Sequence, residues 1–144
     1  MNNSTQYQEI LKIATQGKRF HNISRQIEQV VESSGIQTGM CYLFLRHTSA
    51  SLVIQENADP DVLVDLERFM GKIVPEGHQH YRHATEGLDD MPAHIRTALT
   101  HTSEQIPVGQ GSLLLGTWQG VYLWEHRSHG SNRQLVVHVV GDSR

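Results

Sequence analysis

Two apolar rows with a period of two residues constrain what this chain can fold into. In the segment 40–46 every second residue, from Cys41 to Leu45, is apolar, and these residues would share one face of a strand. The next position of that row is His47. In the segment 121–127 a similar row begins apolar and continues to Glu125 and Arg127. Side chains alternate between the two faces of a strand, so both segments are predicted strands with one face toward the core. His47 and Glu125 are then expected where the buried faces end.

Turn residues and helix caps predict the remaining elements. Ser24 is a predicted helix N-cap and Gly35 a C-cap, and Asp59-Pro60 begins the clearest helix. The other predicted elements are strands over 7–14, 51–55, 112–116 and 134–140, a long loop over 71–90, and a short helix over 92–100. Two to three short helices in the first two-thirds, with strands at the end, favour an α+β domain built on antiparallel sheet.

Length and composition restrict the class of protein. The chain has 144 residues, of which 38% are hydrophobic, and we predict one domain over 1–144. A formal net charge of −3, without basic runs, argues against nucleic acid as a partner. The apolar runs are too short to span a membrane, and the polar segment 1–6 resembles no export signal. Cys41 is the only cysteine, which excludes an internal disulfide and favours a cytoplasmic location.

The segment 81–94 concentrates titratable side chains around one glycine and one proline. It contains His83, Glu86, Asp89, Asp90 and His94. Because Pro92 disfavours helix at the residue before it, we predict that the helix begins at Pro92 and that the two aspartates precede it. One interpretation is that the aspartates cap the helix. A cap does not explain two histidines and a third carboxylate, so a metal site or a catalytic site is favoured.

Two further segments contribute candidate residues. The hydroxyls that follow His47, beginning with Thr48 and Ser49, are suited to an anion or to satisfying the backbone of a turn. A buried Glu125 requires a partner, for which Arg127 or a metal on the same face is the predicted candidate. A purely structural pairing of Glu125 with Arg127 is the alternative.

An ordered set of motifs extends over nearly the whole chain. The motifs are His47-Thr48-Ser49-Ala50-Ser51-Leu52, Glu56-Asn57-Ala58-Asp59-Pro60-Asp61, Glu86-Gly87, Asp89-Asp90-Met91-Pro92-Ala93-His94-Ile95, Gly116-Thr117-Trp118-Gln119-Gly120 and Glu125-His126-Arg127. In this order they resemble the YjbQ-type family, also called the secondary thiamine-phosphate synthase family. Gln55 departs from the asparagine expected before Glu56-Asn57, which would alter substrate preference if the side chain touches ligand.

The resemblance implies a β-sandwich-like α+β fold, a homotrimer and a histidine-rich pocket that holds a metal. It also implies an activity that joins a pyrimidine diphosphate to a thiazole phosphate, so a small phosphorylated molecule is the expected ligand. The predicted metal ligands are His47, His83 and His94. The predicted catalytic carboxylates are Glu86, Asp90 and Glu125. The predicted substrate-binding residues are Thr48, Ser49, Trp118 and Arg127.

The ligand types favour a zinc-like divalent metal over magnesium, because imidazole suits zinc and magnesium prefers oxygen. A zinc-like site suits hydrolysis better than pyrophosphate chemistry. Three interpretations therefore stay open. They are a metal-dependent enzyme with thiamine-phosphate synthase activity, a metal-dependent hydrolase, and a non-enzymatic trimeric protein that binds a metal or ligand.

Overall fold

Eight antiparallel strands form two sheets around a shared core. The structure is a computed structural model that describes residues 4–143, except for the side chains of Ser4 and His78. Residues 1–3 of the polar N-terminal segment, on which the export prediction partly rests, lie outside the described residues. The strands are β1 (Ser4–Ala14), β2 (Phe20–Asn22), β3 (Thr38–Leu45), β4 (Ala50–Glu56), β5 (Ser103–Gly109), β6 (Ser112–Leu113), β7 (Gln119–Glu125) and β8 (Asn132–Asp142).

The two sheets differ in size and share one core. The larger sheet has the strand order β1-β8-β3-β5-β6, and the smaller has the order β2-β7-β4. Every strand pairing is antiparallel. The apolar rows of both sheets meet in one core cluster, which includes Leu43, Leu52, Leu123 and Val137. Burial of these rows is the main force that holds the two sheets together.

Three α-helices complete the fold: α1 (Ser24–Ser34), α2 (Pro60–Ile73) and α3 (Asp90–Leu99). Helix α1 buries Ile27, Val30 and Val31 in the core that the two sheets share. Helices α2 and α3 contact β4 of the smaller sheet. A second apolar cluster joins Met70 of α2 to Trp124 of β7. The expected α+β, sandwich-like class with two to three short helices is therefore confirmed.

The predicted starts of α1 and α3 are wrong. At neither start does a side chain form a capping hydrogen bond. Ser24 is the first residue of α1, and its hydroxyl accepts a hydrogen bond from the backbone N–H of Val121 at 2.8 Å. Helix α3 begins at Asp90 instead of Pro92. Pro92 lies in the first turn of α3, where its missing N–H costs no intrahelical bond. The predicted cap at Asp59 is confirmed, because its carboxylate accepts from the N–H of Asp61 at 2.9 Å.

The sequence analysis missed β2 and β5 and predicted the later strands with shifted bounds. Strand β5 contains Pro107, which cannot donate to a ladder, and its inward positions are only Ile106 and Val108. It is tolerated because its outer neighbour, β6, is only two residues long. Within the described residues, no helix has the length and apolar character needed to cross a membrane.

Glu67 connects α2 to α3 and to β7. Its carboxylate accepts two hydrogen bonds from Nη1 of Arg96, at 3.0 and 2.8 Å, and one from Nε1 of Trp124 at 3.0 Å. The side chain of Arg96 is only 4% exposed. Since α3 carries both Asp90 and His94, this carboxylate fixes the element on which the candidate site is built.

We expect Glu67→Ala to lower the free energy of unfolding by about 2–3 kcal/mol, because a buried guanidinium loses its partner. Urea denaturation measures this change. Glu32→Ala, an exposed position on α1, is the matched control and should change stability by less than about 0.5 kcal/mol. Equal effects of the two substitutions would contradict the role given to Glu67.

Candidate functional site

Two imidazoles and one carboxylate converge where the loop before α3 meets the helix. Nε2 of His83 lies 2.6 Å from Oδ2 of Asp90, and Nε2 of His94 lies 3.2 Å from the same oxygen. One potential ligand atom from each of the three residues lies within 4.8 Å of the others. The Asp90 side chain is 3% exposed, whereas those of His83 and His94 are 41% and 32% exposed. The carboxylate of the cluster is therefore buried, and its two imidazoles are accessible to solvent.

The position of His94 follows from helix geometry. Asp90 and His94 are four residues apart on α3, so their side chains lie on the same face. His83 reaches them from the loop, which turns at Gly87 with a φ of 114°. A side chain at Gly87 would be strained in that left-handed conformation, and its Cβ would lie 3.1 Å from Oδ1 of Asp89. The glycine therefore permits the turn that returns His83 to the helix.

The hydrogen bonds of His94 define its tautomer. Nδ1 of His94 lies 2.9 Å from the carbonyl oxygen of Thr48. A carbonyl only accepts, so Nδ1 carries the proton and donates it. In neutral His94 the Nε2 lone pair then points toward the Asp90 carboxylate. Two electron pairs at this distance repel each other unless a proton or a cation lies between them.

Arg127 forms ion pairs with the carboxylates of Asp89 and Asp90. Its guanidinium lies 2.7 Å from Oδ1 of Asp90, donates to Oδ2 of Asp89 at 2.9 Å, and donates to the carbonyl of Glu86 at 3.0 Å. Burial alone would raise the pKa of Asp89, but hydrogen bonds from Arg127 and from the N–H of Ser128 lower it to about 2. The pKa of Asp90 is also lowered, because the hydrogen bond with His83 and the Arg127 charge outweigh burial.

The interpretation of the two aspartates as helix caps is not supported. Asp89 is the residue before α3, but its side chain makes no capping hydrogen bond. Its carboxylate instead binds Arg127 and the N–H of Ser128 at 2.7 Å. Both aspartates therefore attach the start of α3 to the end of β7.

Glu86 is the exposed carboxylate of the group. Its Oε2 lies 3.5 Å from Nε2 of His83, and its side chain is 63% exposed. The hydrogen bond with Asp90 raises the pKa of His83, and the Glu86 charge adds to that shift. Among the predicted catalytic carboxylates, Glu86 is the one with an exposed side chain, because Asp90 and Glu125 are buried.

The donor set fits a transition metal. Two imidazole nitrogens and one carboxylate oxygen are common ligands of zinc and of non-haem iron, and such three-residue sites leave positions for water or substrate. Histidine ligands usually donate their other ring N–H to a carbonyl or carboxylate, as His94 does to Thr48. Nε2 of His83, Nε2 of His94 and a carboxylate oxygen of Asp90 are the atoms that would hold such an ion.

His47 lies outside this cluster. Its Nε2 accepts a hydrogen bond from the backbone N–H of Gln134 at 2.7 Å. Burial and the nearby charge of Arg133 lower the pKa of His47, so the ring is held neutral. The predicted set of metal ligands was His47, His83 and His94. In the structure Asp90, and not His47, joins the other two histidines.

The predicted substrate-binding residues are widely separated. Thr48 contacts the cluster through its carbonyl, and the hydroxyl of Ser49 accepts a hydrogen bond from Nη2 of Arg133 at 3.0 Å. Trp118 is 64% exposed and precedes β7. Glu125, next to the cluster, stands at the other end of that strand, about 20 Å away at the rise of a strand. Trp118 and the cluster therefore lie at opposite ends of β7.

The prediction that Arg127 or a metal neutralises Glu125 is wrong. Glu125 is fully buried, and its partner is Arg133 of β8, whose Nε donates to it at 2.8 Å. The hydroxyl of Thr15 and the N–H of Arg127 also donate to this carboxylate. Arg133 lies in the inward row of β8 with Leu135 and so could have been found by parity. Glu125 joins the two sheets and does not open onto the cluster.

A second buried polar pair lies between the smaller sheet and the helices. Nε2 of His126 lies 2.8 Å from the hydroxyl of Ser51, and both side chains are fully buried. Burial, with the charges of Arg96 and Arg133, lowers the pKa of His126 to about 3. Nδ1 of His126 has no hydrogen-bond partner among the described residues. The sequence analysis found no pattern for this histidine, because burial on that face depends on α2 and α3.

The fold and the site define a small two-sheet α+β protein with a histidine–aspartate cluster at one end of its smaller sheet. A model of the family described as "UPF0047 protein YjbQ-like" matches residues 9–142. The chain belongs to this family, as the motif resemblance predicted.

Similar proteins support the assignment over almost the full chain. The chain is 64% identical to a UPF0047 protein of Synechocystis over 137 residues, which cover 95% of this chain and 93% of that one. It is 40% identical to UPF0047 protein YjbQ of Escherichia coli O157:H7, with 94% and 99% covered. The fold matches a YbjQ-like protein of unknown function from Sulfolobus solfataricus with a TM-score of 0.85 and 26% identity, covering 96% and 99% of the two chains.

The Glu125–Arg133 pair predicts a specific pH dependence of stability. Burial would raise the pKa of Glu125, but Arg133 and Thr15 lower it below 4.5. A lowered carboxyl pKa stabilises the fold above the unfolded pKa, and this contribution is lost as pH falls through the folded value. We therefore expect the free energy of unfolding to fall below about pH 4.5. In the double variant Glu125→Leu/Arg133→Met this component of the acid dependence should be absent.

Urea denaturation of both proteins between about pH 6 and about pH 3 measures the difference. A matched variant, Glu32→Gln, keeps the pair and should retain the wild-type slope. Identical acid dependence in the wild type and the double variant would contradict the assignment.

Proposed function

We propose that this protein is a metal-dependent enzyme in which His83, Asp90 and His94 bind a divalent transition metal. The observation that carries the proposal is the tautomer of His94. Its proton is committed to the carbonyl of Thr48, so its Nε2 lone pair faces Asp90. In neutral His94 this contact is repulsive, and Nε2 and the Asp90 carboxylate are the groups that would hold a metal ion. A histidine that served only to pair with Asp90 would need to be charged.

The ligand chemistry favours a zinc-like ion over magnesium, because two of the three donors are imidazole nitrogens. Such an ion supplies a Lewis acid and lowers the pKa of a water molecule that it binds. Glu86, exposed beside His83, is the proposed proton acceptor. Arg127 acts as a positioning residue, since it orients Asp90 and the backbone of Glu86.

The proposed substrate is a small phosphorylated molecule. Hydrolysis is the reaction best supported by three side chains that suit a zinc-like ion together with one exposed carboxylate. Thiamine-phosphate synthase activity is the transferase alternative implied by the family resemblance. It is less well supported, because pyrophosphate departure is usually assisted by magnesium and oxygen ligands. Trp118 also lies at the opposite end of β7 from the cluster.

We expect the purified protein to contain about one zinc, iron or manganese ion per chain. His83→Ala and His94→Ala should each reduce the bound metal at least about tenfold, because each removes one of three protein ligands. Elemental analysis of untagged protein, prepared without chelator, measures the content. His129→Ala, an exposed histidine outside the cluster, is the matched control and should retain the metal.

A wild-type protein that stays free of metal after reconstitution would refute the metal proposal. Catalysis is tested separately with Glu86→Gln, which should keep the metal and lose turnover in screens with phosphate esters. A protein that binds metal but turns over no substrate would favour the non-enzymatic alternative.

We also propose that the chain assembles as a homotrimer. The outer face of the larger sheet supports this proposal, because apolar side chains lie side by side across three strands. Val136 of β8 pairs with Ile10 on one side and with Phe44 on the other. Ile10 and Phe44 are 49% and 54% exposed in the single chain. An apolar row of this kind on an otherwise polar surface usually marks an interface.

Ile10→Glu should convert the trimer to monomer, since it places a charge in the centre of the proposed interface. Size-exclusion chromatography with light scattering measures the mass. Val64→Glu, at an apolar position of α2 with similar exposure, is the matched control and should leave the mass unchanged. A monomeric wild type would overturn the trimer, and an Ile10→Glu protein that remained trimeric would overturn this interface.

A further inference from the structure

His94, which contacts Asp90 in the cluster, also lines a cleft. Its volume is about 740 Å³, and it separates the end of β3 and the residues after it from α3 and the segment that leads to β5. Its lining includes Arg46, Thr48 and His94 at one side, and His101, Thr102 and Ser103 at the other. Phe44 also lines it, so the cleft borders the outer face of the larger sheet, where the trimer interface is proposed. The His94 ring is therefore shared between the candidate metal cluster and this cleft.

The charged groups that line the cleft are basic. Arg46 donates through Nη1 to Oε1 of Gln134 at 3.0 Å, and its other N–H groups have no acceptor among the described residues. His101 is paired with the carboxylate of Glu104, which itself does not line the cleft. No carboxylate of the described residues lines the cleft. A guanidinium with unused donors is suited to a phosphate or carboxylate group.

The hydroxyls of the cleft fall into two groups. Those of Thr97 and Thr100 donate to carbonyls of their own helix. Those of Thr48, Thr102 and Ser103 have no hydrogen-bond partner among the described residues and remain available to a ligand. A ligand that satisfies them must accept hydrogen bonds, as the oxygens of an anion do.

We propose that this cleft binds the anionic group of a small molecule, phosphate or carboxylate, with Arg46 as the charged contact and Thr102 as a hydroxyl donor. The proposal deepens the proposed function and rests on it in one respect: the bound molecule is the substrate of the metal at His94. The anion is held on one side of the His94 ring, which directs the rest of the molecule past that ring toward the cluster. Neither Arg46 nor Thr102 belongs to the metal ligands, so each can be changed without removing the ion.

Three probes with the same aromatic ring test the proposal: phenyl phosphate, benzoate and phenol. Isothermal titration calorimetry of the full chain should detect at least one of the two anions and no phenol. Arg46→Gln should weaken anion binding about tenfold or more, because it removes a charge-assisted hydrogen bond. Thr102→Val should weaken it by a smaller factor. Arg25→Gln, an exposed arginine of α1, is the matched control.

The two anions distinguish the sources of the charge. Tighter binding of phenyl phosphate than of benzoate identifies phosphate esters as the substrate class, and the reverse order identifies carboxylic acids. Binding of phenol as tight as that of the anions would overturn the proposal. An Arg46→Gln protein with the affinity of Arg25→Gln would also overturn it.

The same titrations with His83→Ala separate this inference from the metal proposal. If phenyl phosphate still binds His83→Ala, which lacks the metal, in an Arg46-dependent manner, the cleft binds anions independently of the ion. If the wild-type protein holds no metal after reconstitution and still binds phenyl phosphate through Arg46, the metal proposal fails and the cleft proposal stands. If the metal is present and substitution of Arg46 has no effect, the metal proposal stands and the cleft proposal fails. Amide chemical shifts of Thr48 and Thr102 during the titration locate the bound anion, and shifts confined to other regions would count against the cleft.

Discussion

The contact between Arg127 and the two aspartates supports everything else at the candidate site. One guanidinium binds both carboxylates and the carbonyl of Glu86, so the end of β7, the preceding loop and the start of α3 are joined at one point. An uncompensated carboxylate as buried as that of Asp90 would be costly. Because the arginine offsets this cost on one oxygen, the other oxygen is free to face the two histidines. The arrangement of the site therefore depends on Arg127, which neutralises the buried Asp90 carboxylate.

A second buried ion pair gives the fold a similar support without opening to solvent. Glu125 and Arg133 join the smaller sheet to the larger one where both sheets end. Glu125 is the last residue of β7 and Arg127 follows two residues later, yet their roles differ. The Glu125 carboxylate is closed by its donors, whereas Arg127 acts on a cluster that remains accessible. The Glu125–Arg133 pair is thus buried, whereas His83 and His94 of the cluster stay exposed to solvent.

Parity and helix spacing predicted much of the site, and His47 shows where they fail. The pairing of Asp90 with His94 follows from their separation on one helix. The place of His83 depends on a loop turn at Gly87, which spacing permits but does not require. His47 was expected among the ligands because it ends an inward row, but the N–H of Gln134 occupies its ring nitrogen. Such a competing partner comes from a strand that is distant in sequence.

The sequence by itself determined the α+β class, the main strands and helices, the family and the segment that contains the candidate site. Local periodicity and capping residues encode these features, because each depends on neighbours within a few positions. Only the tertiary structure decided that Arg133 neutralises Glu125, that Trp118 lies at the far end of the sheet, and that the cleft beside His94 presents Arg46. These outcomes depend on strand order and on which strands meet across the core. Neither is fixed by local pattern, because many strand orders bury the same apolar rows equally well.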